Sequence, residues 1–206
     1  MKAQTDPSDG ELLQSMLAGD EEALAALYRR RQQGVYRFAL QMSGSKTVAE
    51  DVTQEVFIVL LRDGHTFDAS RGSLKAFLMG VARNYVLRRL RHERSYVAME
   101  ADSENNANGD QSSVTTAGPL DDLARAERIE LVRRAVLALP EKYREVVALC
   151  DLEEMSYVEA AEVIGCAVGT VRSRLHRGRA LMIEKLRPTR EEETAPANPK
   201  SARCFA

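Results

Sequence analysis

The stretch from residue 155 to residue 187, MSYVEAAEVIGCAVGTVRSRLHRGRALMIEKLR, predicts a helix, a tight turn and a second helix rich in arginine. Ser156 followed three residues later by Glu159 is typical of a capping box that starts a helix, and Gly165 is a residue type that often ends one. The second helix is expected from Val168 to about Leu186. At about 100° per residue it has one narrow apolar stripe, formed by Val168, Val171, Leu175, Gly178, Met182 and Leu186.

The opposite face of this second helix is polar and basic. It carries Thr170, Arg172, Ser173, His176 and Arg177, with Arg174 and Arg179 at its edges. Residues 168–187 hold six Arg or Lys against the single acid Glu184, whereas solvated helices usually mix signs. An apolar seam opposite an Arg, Ser and Thr face is what a helix needs to read base edges in the major groove. We predict a DNA-reading helix-turn-helix, the alternative being an ordinary surface helix.

Charge is segregated along the chain of 206 residues, although the net charge is only -2. Residues 71–94 hold seven basic residues and one acid, and residues 98–123 hold six acids and no base. A hydrophobic content of 44% is normal for one or two globular domains. The sequence therefore predicts two basic surfaces separated by an acidic connector.

The cysteine pattern and the N-terminal sequence are typical of a protein of the cytoplasm. Three cysteines without a CxxC spacing favour neither a disulfide framework nor a zinc site. MKAQTDPSDGE at the N-terminus lacks the apolar segment of a signal peptide, and no apolar run is long enough for a membrane span. We expect a soluble cytoplasmic protein that is not membrane-inserted.

Helical periodicity continues along most of the chain. We expect a short helix over residues 9–18, a helix capped by Asp20 that ends near Met42, and a helix over residues 49–63 opened by a Thr47–Glu50 capping box. A loop over residues 63–73 precedes a helix that starts at Ser73, and Pro140 is expected at the first position of a later helix. No alternation typical of strands occurs.

The fold class that follows is all-α, with two small helical domains joined by a flexible linker. The expected boundaries are residues 9–97 for the first domain, 98–120 for an acidic linker, 121–187 for the helix-turn-helix domain and 188–206 for a disordered tail.

The helix over residues 49–63 is apolar on two sides. Val48, Val52 and Val56 belong to one stripe. The other side mixes Phe57, Ile58 and Leu61 with Asp51 and Gln54. Two interpretations stay open: a helix buried all round, or a docking surface for another protein.

The basic helix after residue 73 lies close in sequence to aromatic residues. Phe67, Phe77 and Tyr85 are interleaved with its arginines. Aromatic rings beside cations suit a single strand whose bases stack while its phosphates are neutralised, although a basic helix end can also be a solvated terminus.

No catalytic pattern is present. His65, His92 and His176 are far apart, and no nucleophile motif or phosphate-binding glycine loop occurs. The acid pair Glu153 and Glu154 is expected to be solvated. We expect neither catalysis nor a small-molecule substrate, cofactor or metal.

Three segments in order resemble the extracytoplasmic-function (ECF) group of sigma-70 type bacterial sigma factors over about residues 12–186. AEDVTQEVF at residues 49–57 is similar to the segment that binds polymerase, and FDASRGSLKAFLMGVARNYVLRRLRHER at residues 67–94 to the segment for the minus-10 promoter element. LPEKYREVVALCDLEEMSYVEAAEVIGCAVGTVRSRLHRGRALM at residues 139–182 is similar to the minus-35 domain.

The resemblance implies core RNA polymerase, through its beta-prime clamp helices and beta flap, and promoter DNA as partners, with an anti-sigma factor as a common further one. Polymerase contacts are then expected at Asp51, Gln54, Glu55, Phe57, Ile58 and Leu61. Minus-10 contacts are expected at Phe67, Arg71, Phe77, Arg83, Asn84, Arg88, Arg89 and Arg91. Minus-35 contacts are expected at Thr170, Arg172, Ser173, Arg174, His176, Arg177 and Arg179.

This chain departs from the family pattern at Phe77, at Ala167 and in the tail after Pro188, for which the family has no counterpart. Phe77 stands where the family commonly has Trp, so the ring there either stacks on a base or belongs to the core. Ala167 stands where relatives often have a better helix cap. The function expected is an alternative sigma factor that directs polymerase to promoters and assists their opening; the rival hypothesis is a dimeric helix-turn-helix regulator that acts without polymerase.

Overall fold

The computed structural model describes residues 6–100 and 120–187, without the side chains of residues 93–100 and 120–124. All regular secondary structure in these ranges is helical, which confirms the all-α prediction. None of the described helices is long and apolar enough to cross a membrane.

The helices form two groups along the chain. The N-terminal half contains α1 (Asp9–Leu17), α2 (Glu21–Ser43), α3 (Lys46–Asp63), a 3-10 turn (Gly64–Thr66) and α4 (Leu74–Glu100). The C-terminal half contains α5 (Leu120–Leu137), α6 (Glu141–Val147), a π-helical turn (Ala148–Leu152), α7 (Tyr157–Ile164) and α8 (Val168–Leu186). Helices therefore occupy residues 98–100 and 120 of the expected linker; the rest of the linker and the expected tail lie outside the described residues.

Of the predicted helix starts, the Asp20 cap is confirmed, and the other three are displaced by one or two residues. Asp20 accepts hydrogen bonds from the amides of the first turn of α2, and the Ser73 hydroxyl accepts one from Ala76 N at 3.2 Å before α4. The Thr47–Glu50 capping box is wrong, because the Ser45 hydroxyl accepts from Val48 N at 3.3 Å and α3 already begins at Lys46. Pro140 is the N-cap of α6 rather than its first helical residue.

The N-terminal half is built around α2, α3 and α4, which pack against one another. Phe38 of α2, Leu60 of α3 and Leu78 of α4 are among its fully buried side chains. This packing fixes the relative orientation of α3 and α4, whose outer faces carry the residues expected to bind polymerase and DNA.

The C-terminal half packs α8 closely onto α6. Val147, Val171 and Leu175 are buried between these helices. A Cβ atom at Gly178 would lie 2.9 Å from Val147 Cγ2 of α6, so a larger residue here would force the buried Val147 side chain to move. The stripe predicted from the sequence is thus the face on which α8 docks.

The two halves are in contact. Helix α2 packs on α5, α6 and the π-helical turn, and α4 packs on α7.

Candidate nucleic-acid interface

The helix-turn-helix forms as the sequence predicts. Glu159 N donates to the Ser156 hydroxyl at 3.2 Å, and Ser156 N donates to a Glu159 carboxylate oxygen at 3.1 Å, which completes the capping box of α7. Gly165 ends α7 at φ 73° in the left-handed region. This turn places α7 and α8 against each other, so that α8 presents the face opposite its docking stripe to solvent.

The outer face of α8 is exposed and basic. Four of the predicted contacts are exposed there: Arg172, Ser173, His176 and Arg177. In the part of the chain that the structure describes, no ion pair or side-chain hydrogen bond engages Arg172 or Arg177. These guanidinium groups are therefore available to a ligand outside the chain.

The remaining predicted contacts on α8 are less available. Thr170 and Arg174 are half-buried, and the Thr170 carbonyl accepts the Ser173 hydroxyl at 3.0 Å. Arg179 Nε donates to Asp151 Oδ2 at 3.1 Å, and this hydrogen bond raises the pKa of the Arg179 guanidinium above its usual range. Because Asp151 belongs to the π-helical turn, Arg179 fastens α8 to its own domain.

The start of α8 has no side-chain cap. Ala167 is the N-cap residue at φ −67° and ψ 145°, and its methyl group offers no acceptor to the first turn. The expectation from the sequence that this turn position caps the helix poorly is confirmed.

The second basic surface is the exposed side of α4 and the loop before it. Arg71, Asn84, Arg88 and Arg91 are exposed there, as is Arg89. Arg89 Nη2 donates to Asp51 Oδ2 of α3 at 2.8 Å, and both side chains are about half exposed. Arg83 differs from the others because it is only 21% exposed and pairs with the buried Glu145 of α6.

The aromatic residues near α4 form a small half-buried cluster. The ring centroids of Phe67 and Phe77 lie 5.7 Å apart at an interplanar angle of 62°, an edge-to-face pair. Both rings and that of Tyr85 also pack against the core. Phe77 thus contributes to packing, while the partial exposure of the rings leaves their free edges beside the basic surface.

The loop that carries Phe67 is shaped by local hydrogen bonds. Asp68 Oδ1 accepts from Ser70 N at 2.9 Å and from the Ser70 hydroxyl at 2.7 Å, which lowers the pKa of the Asp68 carboxyl. These bonds form an Asx-type turn, in which an aspartate side chain accepts from the backbone two residues later, and the turn directs the chain into α4.

A third exposed surface lies on α3. Asp51, Gln54, Glu55, Ile58 and Leu61 are all exposed. Residues at spacings of three, four and seven share one helix face, so these side chains form one surface. Ile58 and Leu61 are 51% and 52% exposed, an apolar pair flanked by polar groups that is typical of a docking site. Phe57 does not belong to it as a direct contact, because it is 5% exposed and its ring packs 4.8 Å from that of Tyr28.

One expectation about acids is wrong. Glu153 is not a solvated carboxylate but is 4% exposed, and it accepts hydrogen bonds from Arg37 Nε and Nη2 at 3.0 Å each. This hydrogen bond raises the pKa of Arg37. Glu154 is exposed as expected. No sequence signal could pair residues 37 and 153, since only the tertiary fold brings them together.

Two family models match the two halves of the chain. Residues 27–96 match Sigma-70 region 2, which covers most of α2, α3 and α4. Residues 129–182 match Sigma-70, region 4, which includes the helix-turn-helix.

Curated proteins resemble most of the chain. ECF RNA polymerase sigma factor SigW of Bacillus subtilis (strain 168) is 30% identical, with 82% of this chain and 91% of that protein aligned. ECF RNA polymerase sigma factor SigC of Mycobacterium tuberculosis (strain CDC 1551 / Oshkosh) is 32% identical, with 90% and 95% aligned. The ECF RNA polymerase sigma-E factor of Escherichia coli (strain K12) is 30% identical, with 88% and 95% aligned.

Solved structures share the fold. The sigma factor RpoE, in complex with the anti-sigma factor NepR from Bartonella quintana, superposes with a TM-score of 0.62 at 24% identity over 79% of this chain and 96% of that one. CnrH, in complex with the cytosolic domain of CnrY, gives 0.61 at 21% identity over 86% and 96%.

Proposed function

Because this chain belongs to the ECF RNA polymerase sigma factors of the sigma-70 family, we propose that its three exposed surfaces divide the work of promoter-specific initiation. An alternative sigma factor binds core RNA polymerase and directs it to specific promoters, and this family of initiation factors is not catalytic.

The α3 surface binds the beta-prime clamp helices of polymerase. Ile58 and Leu61 supply the apolar centre, and Asp51, Gln54 and Glu55 supply a polar rim. Burying the exposed half of each apolar side chain is worth about 1 kcal/mol. Phe57 supports this surface from inside through its contact with Tyr28.

The α4 surface binds the minus-10 element as a single strand. Arg71, Arg88 and Arg91 are exposed cations that neutralise phosphates, and the half-buried rings of Phe67 and Phe77 lie next to them. Holding an extruded base costs a few kcal/mol, which stacking and phosphate contacts of similar size offset. Asn84, exposed on the same helix, supplies a polar side chain for a base edge.

The α8 surface reads the minus-35 element in the major groove. The observation that carries the assignment is the exposed face of Arg172, Ser173, His176 and Arg177 opposite a buried docking stripe. Arg172 and Arg177 can each bind a guanine edge through two hydrogen bonds. Arg179 is excluded from direct readout by its bond to Asp151.

The proposed role in initiation also implies where the protein works and which further partners it has. We propose that the protein works in the cytoplasm, where polymerase and promoters are located, and that it performs no catalysis itself. Contact with the beta flap through the C-terminal half is part of the same proposal, as is control by an anti-sigma factor of the kind that holds RpoE in the Bartonella quintana complex.

Reconstitution with core polymerase tests the assignment. The protein should form a stable complex and support promoter-dependent run-off transcription, whereas alone it should shift duplex DNA only weakly in a gel. Tight binding to a palindromic duplex without polymerase would favour the dimeric regulator instead.

A docking variant sharpens this test. Ile58→Asp should weaken the complex with core polymerase, because it places a charge at the centre of the α3 surface. Leu17→Asp on α1 is the matched control, since Leu17 is also exposed, at 41%, but lies outside that surface. Equal affinity of the two variants would refute the docking role of α3.

A further inference from the structure

Helix α1 (Asp9–Leu17) belongs to none of the three surfaces assigned above. The match to Sigma-70 region 2 begins at residue 27, so α1 lies before it in the sequence. The helix nevertheless buries an apolar face of Leu12, Leu13 and Met16 in the hydrophobic core. Because protein interiors are close-packed, such a face constrains the position of the elements on which it packs.

Ion pairs and a hydrogen bond fix the start of α1 on α2. Arg30 Nη1 donates to Asp9 Oδ1 at 3.0 Å, and Arg31 Nε donates to Asp9 Oδ2 at 2.6 Å. The Asp9 side chain is only 14% exposed between these two arginines. Arg30 also donates to the Pro7 carbonyl oxygen at 2.8 Å. Charge-assisted hydrogen bonds are stronger than neutral ones, so α1 is held in one place on α2.

The apolar face of α1 packs on the 3-10 turn between α3 and α4. Gly64 is the first residue of this turn and is buried. A Cβ atom on Gly64 would lie 3.4 Å from Leu13 Cδ1 and 3.5 Å from Met16 Cε. The third neighbour, Leu60 Cδ1 at 3.5 Å, belongs to α3. These distances leave room for little more than a methyl group between α1 and the backbone of the turn.

Gly64 is hydrogen-bonded to the residue that carries an aromatic ring assigned to the minus-10 strand. Phe67 N donates to the Gly64 carbonyl oxygen at 3.2 Å and so closes the turn. The Phe67 ring packs edge to face on Phe77 of α4, with the ring centroids 5.7 Å apart. A displacement of Gly64 therefore moves the Phe67 backbone and changes how its ring meets that of Phe77.

We propose that α1 positions the ring of Phe67 for the minus-10 strand, and that Leu13 and Met16 are the positioning residues, acting through Gly64. The proposal rests on the assignment of Phe67 to that strand. Stacking on an extruded base depends on the distance and angle of the ring, so the ring needs neighbours that fix its backbone. Neither positioning residue belongs to the α3 surface. Their truncation should therefore impair promoter opening and leave assembly with polymerase unchanged.

Two leucine truncations on α1, made in the full chain, test this role. Leu13→Ala removes the side-chain atom nearest to Gly64. Leu12→Ala is the matched control, because Leu12 is also buried, at 6% exposed against 1%, but is not among the nearest neighbours of Gly64. Each truncation leaves a cavity in the same core, so a general loss of stability is common to both. Urea denaturation checks that both variants are folded at the temperature of the assay.

Promoter opening is measured with 2-aminopurine in the minus-10 element, at saturating concentrations of the complex with core polymerase. The fluorescence should rise several-fold more slowly for Leu13→Ala than for Leu12→Ala, while both variants bind core polymerase as the unmodified protein does. Leu13→Met keeps the side-chain volume and should restore the rate. Equal opening rates for the two truncations would overturn the proposal, as would a defect of Leu13→Ala that is confined to polymerase binding.

A second pair of variants keeps the test valid if Leu13→Ala folds poorly. Asp9→Asn weakens the bonds of α1 to Arg30 and Arg31, and Glu22→Gln removes an acid from an 88% exposed position of α2. Asp9→Asn alone should slow opening, and identical rates for this pair would count against the role of α1. If the unmodified protein opens no promoter with core polymerase, the proposed function itself is refuted. Normal opening by the unmodified protein and by every variant refutes only the role of α1.

Discussion

Replacement of Arg177 by alanine should change which promoters are used rather than how well all promoters are used. Arg177 is exposed on the outer face of α8, and no described side chain pairs with it. A bidentate contact with a guanine edge discriminates by about 1 to 3 kcal/mol, which is roughly 5- to 150-fold. Arg177→Ala should lose this much activity on the preferred promoter and little on promoters with a substituted base at the contacted position.

Arg179→Ala is the matched control for this experiment. Arg179 lies on the same helix with the same side chain, but it hydrogen-bonds Asp151. Its loss should lower stability by about 1 kcal/mol or less, as for other exposed pairs, and leave promoter preference unchanged. The assay is run-off transcription with core polymerase on a set of promoters that differ by single bases in the minus-35 element. A uniform loss for Arg177→Ala, or an altered preference for Arg179→Ala, would refute the assignment.

Three other predictions concern stability, DNA affinity and pH. Gly178→Ala should lower the unfolding free energy relative to Gly169→Ala by about 1 to 3 kcal/mol in urea denaturation, because both gain helix propensity but only a Cβ at residue 178 meets Val147. Arg88→Ala, at an exposed position of α4, should weaken promoter binding of the polymerase complex across sequences and flatten its salt slope by about 0.7 to 0.9, measured by filter binding at several salt concentrations. The pKa of Glu159 is lowered although burial opposes this, since Ser73 and Ser156 donate hydrogen bonds to it. Its contribution is therefore present above its ordinary pKa of 4.5 and is lost as pH falls through the lower folded value, so Glu159→Gln should reduce the acid dependence of thermal stability.

Local sequence signals were sufficient to predict the helix-turn-helix. The Ser156–Glu159 box, Gly165 and the stripe containing Val171 and Leu175 all act within a few residues of one another. The same signals identified the exposed α8 face, because a helix buries one side and presents the other.

The exact start of a helix was harder to predict where two capping residues lie within one turn of each other. Ser45 and Thr47 are both capping residues near the start of α3, and Ser45 prevails because it follows Gly44, whose φ of 76° ends α2. Sequence alone could not show whether the helix begins before or after Thr47, since either hydroxyl can accept an amide of the following turn.

Ion pairs between side chains that are distant in sequence could not be predicted at all. Glu153 was expected to be solvated, and nothing in the sequence assigns a partner to Glu145 or Asp151, yet each of the three acids pairs with an arginine on another element. Their pairing depends on how helices pack, so it has no periodic signature. The basic face of α4 was predictable, but the engagement of Arg83 by Glu145 was not.

The small size of the α8 surface explains why this DNA-binding helix acts together with polymerase. Single DNA-binding modules bury about 600 to 1,000 Å² and derive much of their affinity from phosphate contacts. Four exposed side chains on α8 give base discrimination but few phosphate contacts, and Arg179 is already engaged by Asp151. Docking of α3 on polymerase would make the second DNA contact intramolecular and raise its effective concentration. Specificity can then be provided by a surface that is too small to bind DNA tightly by itself.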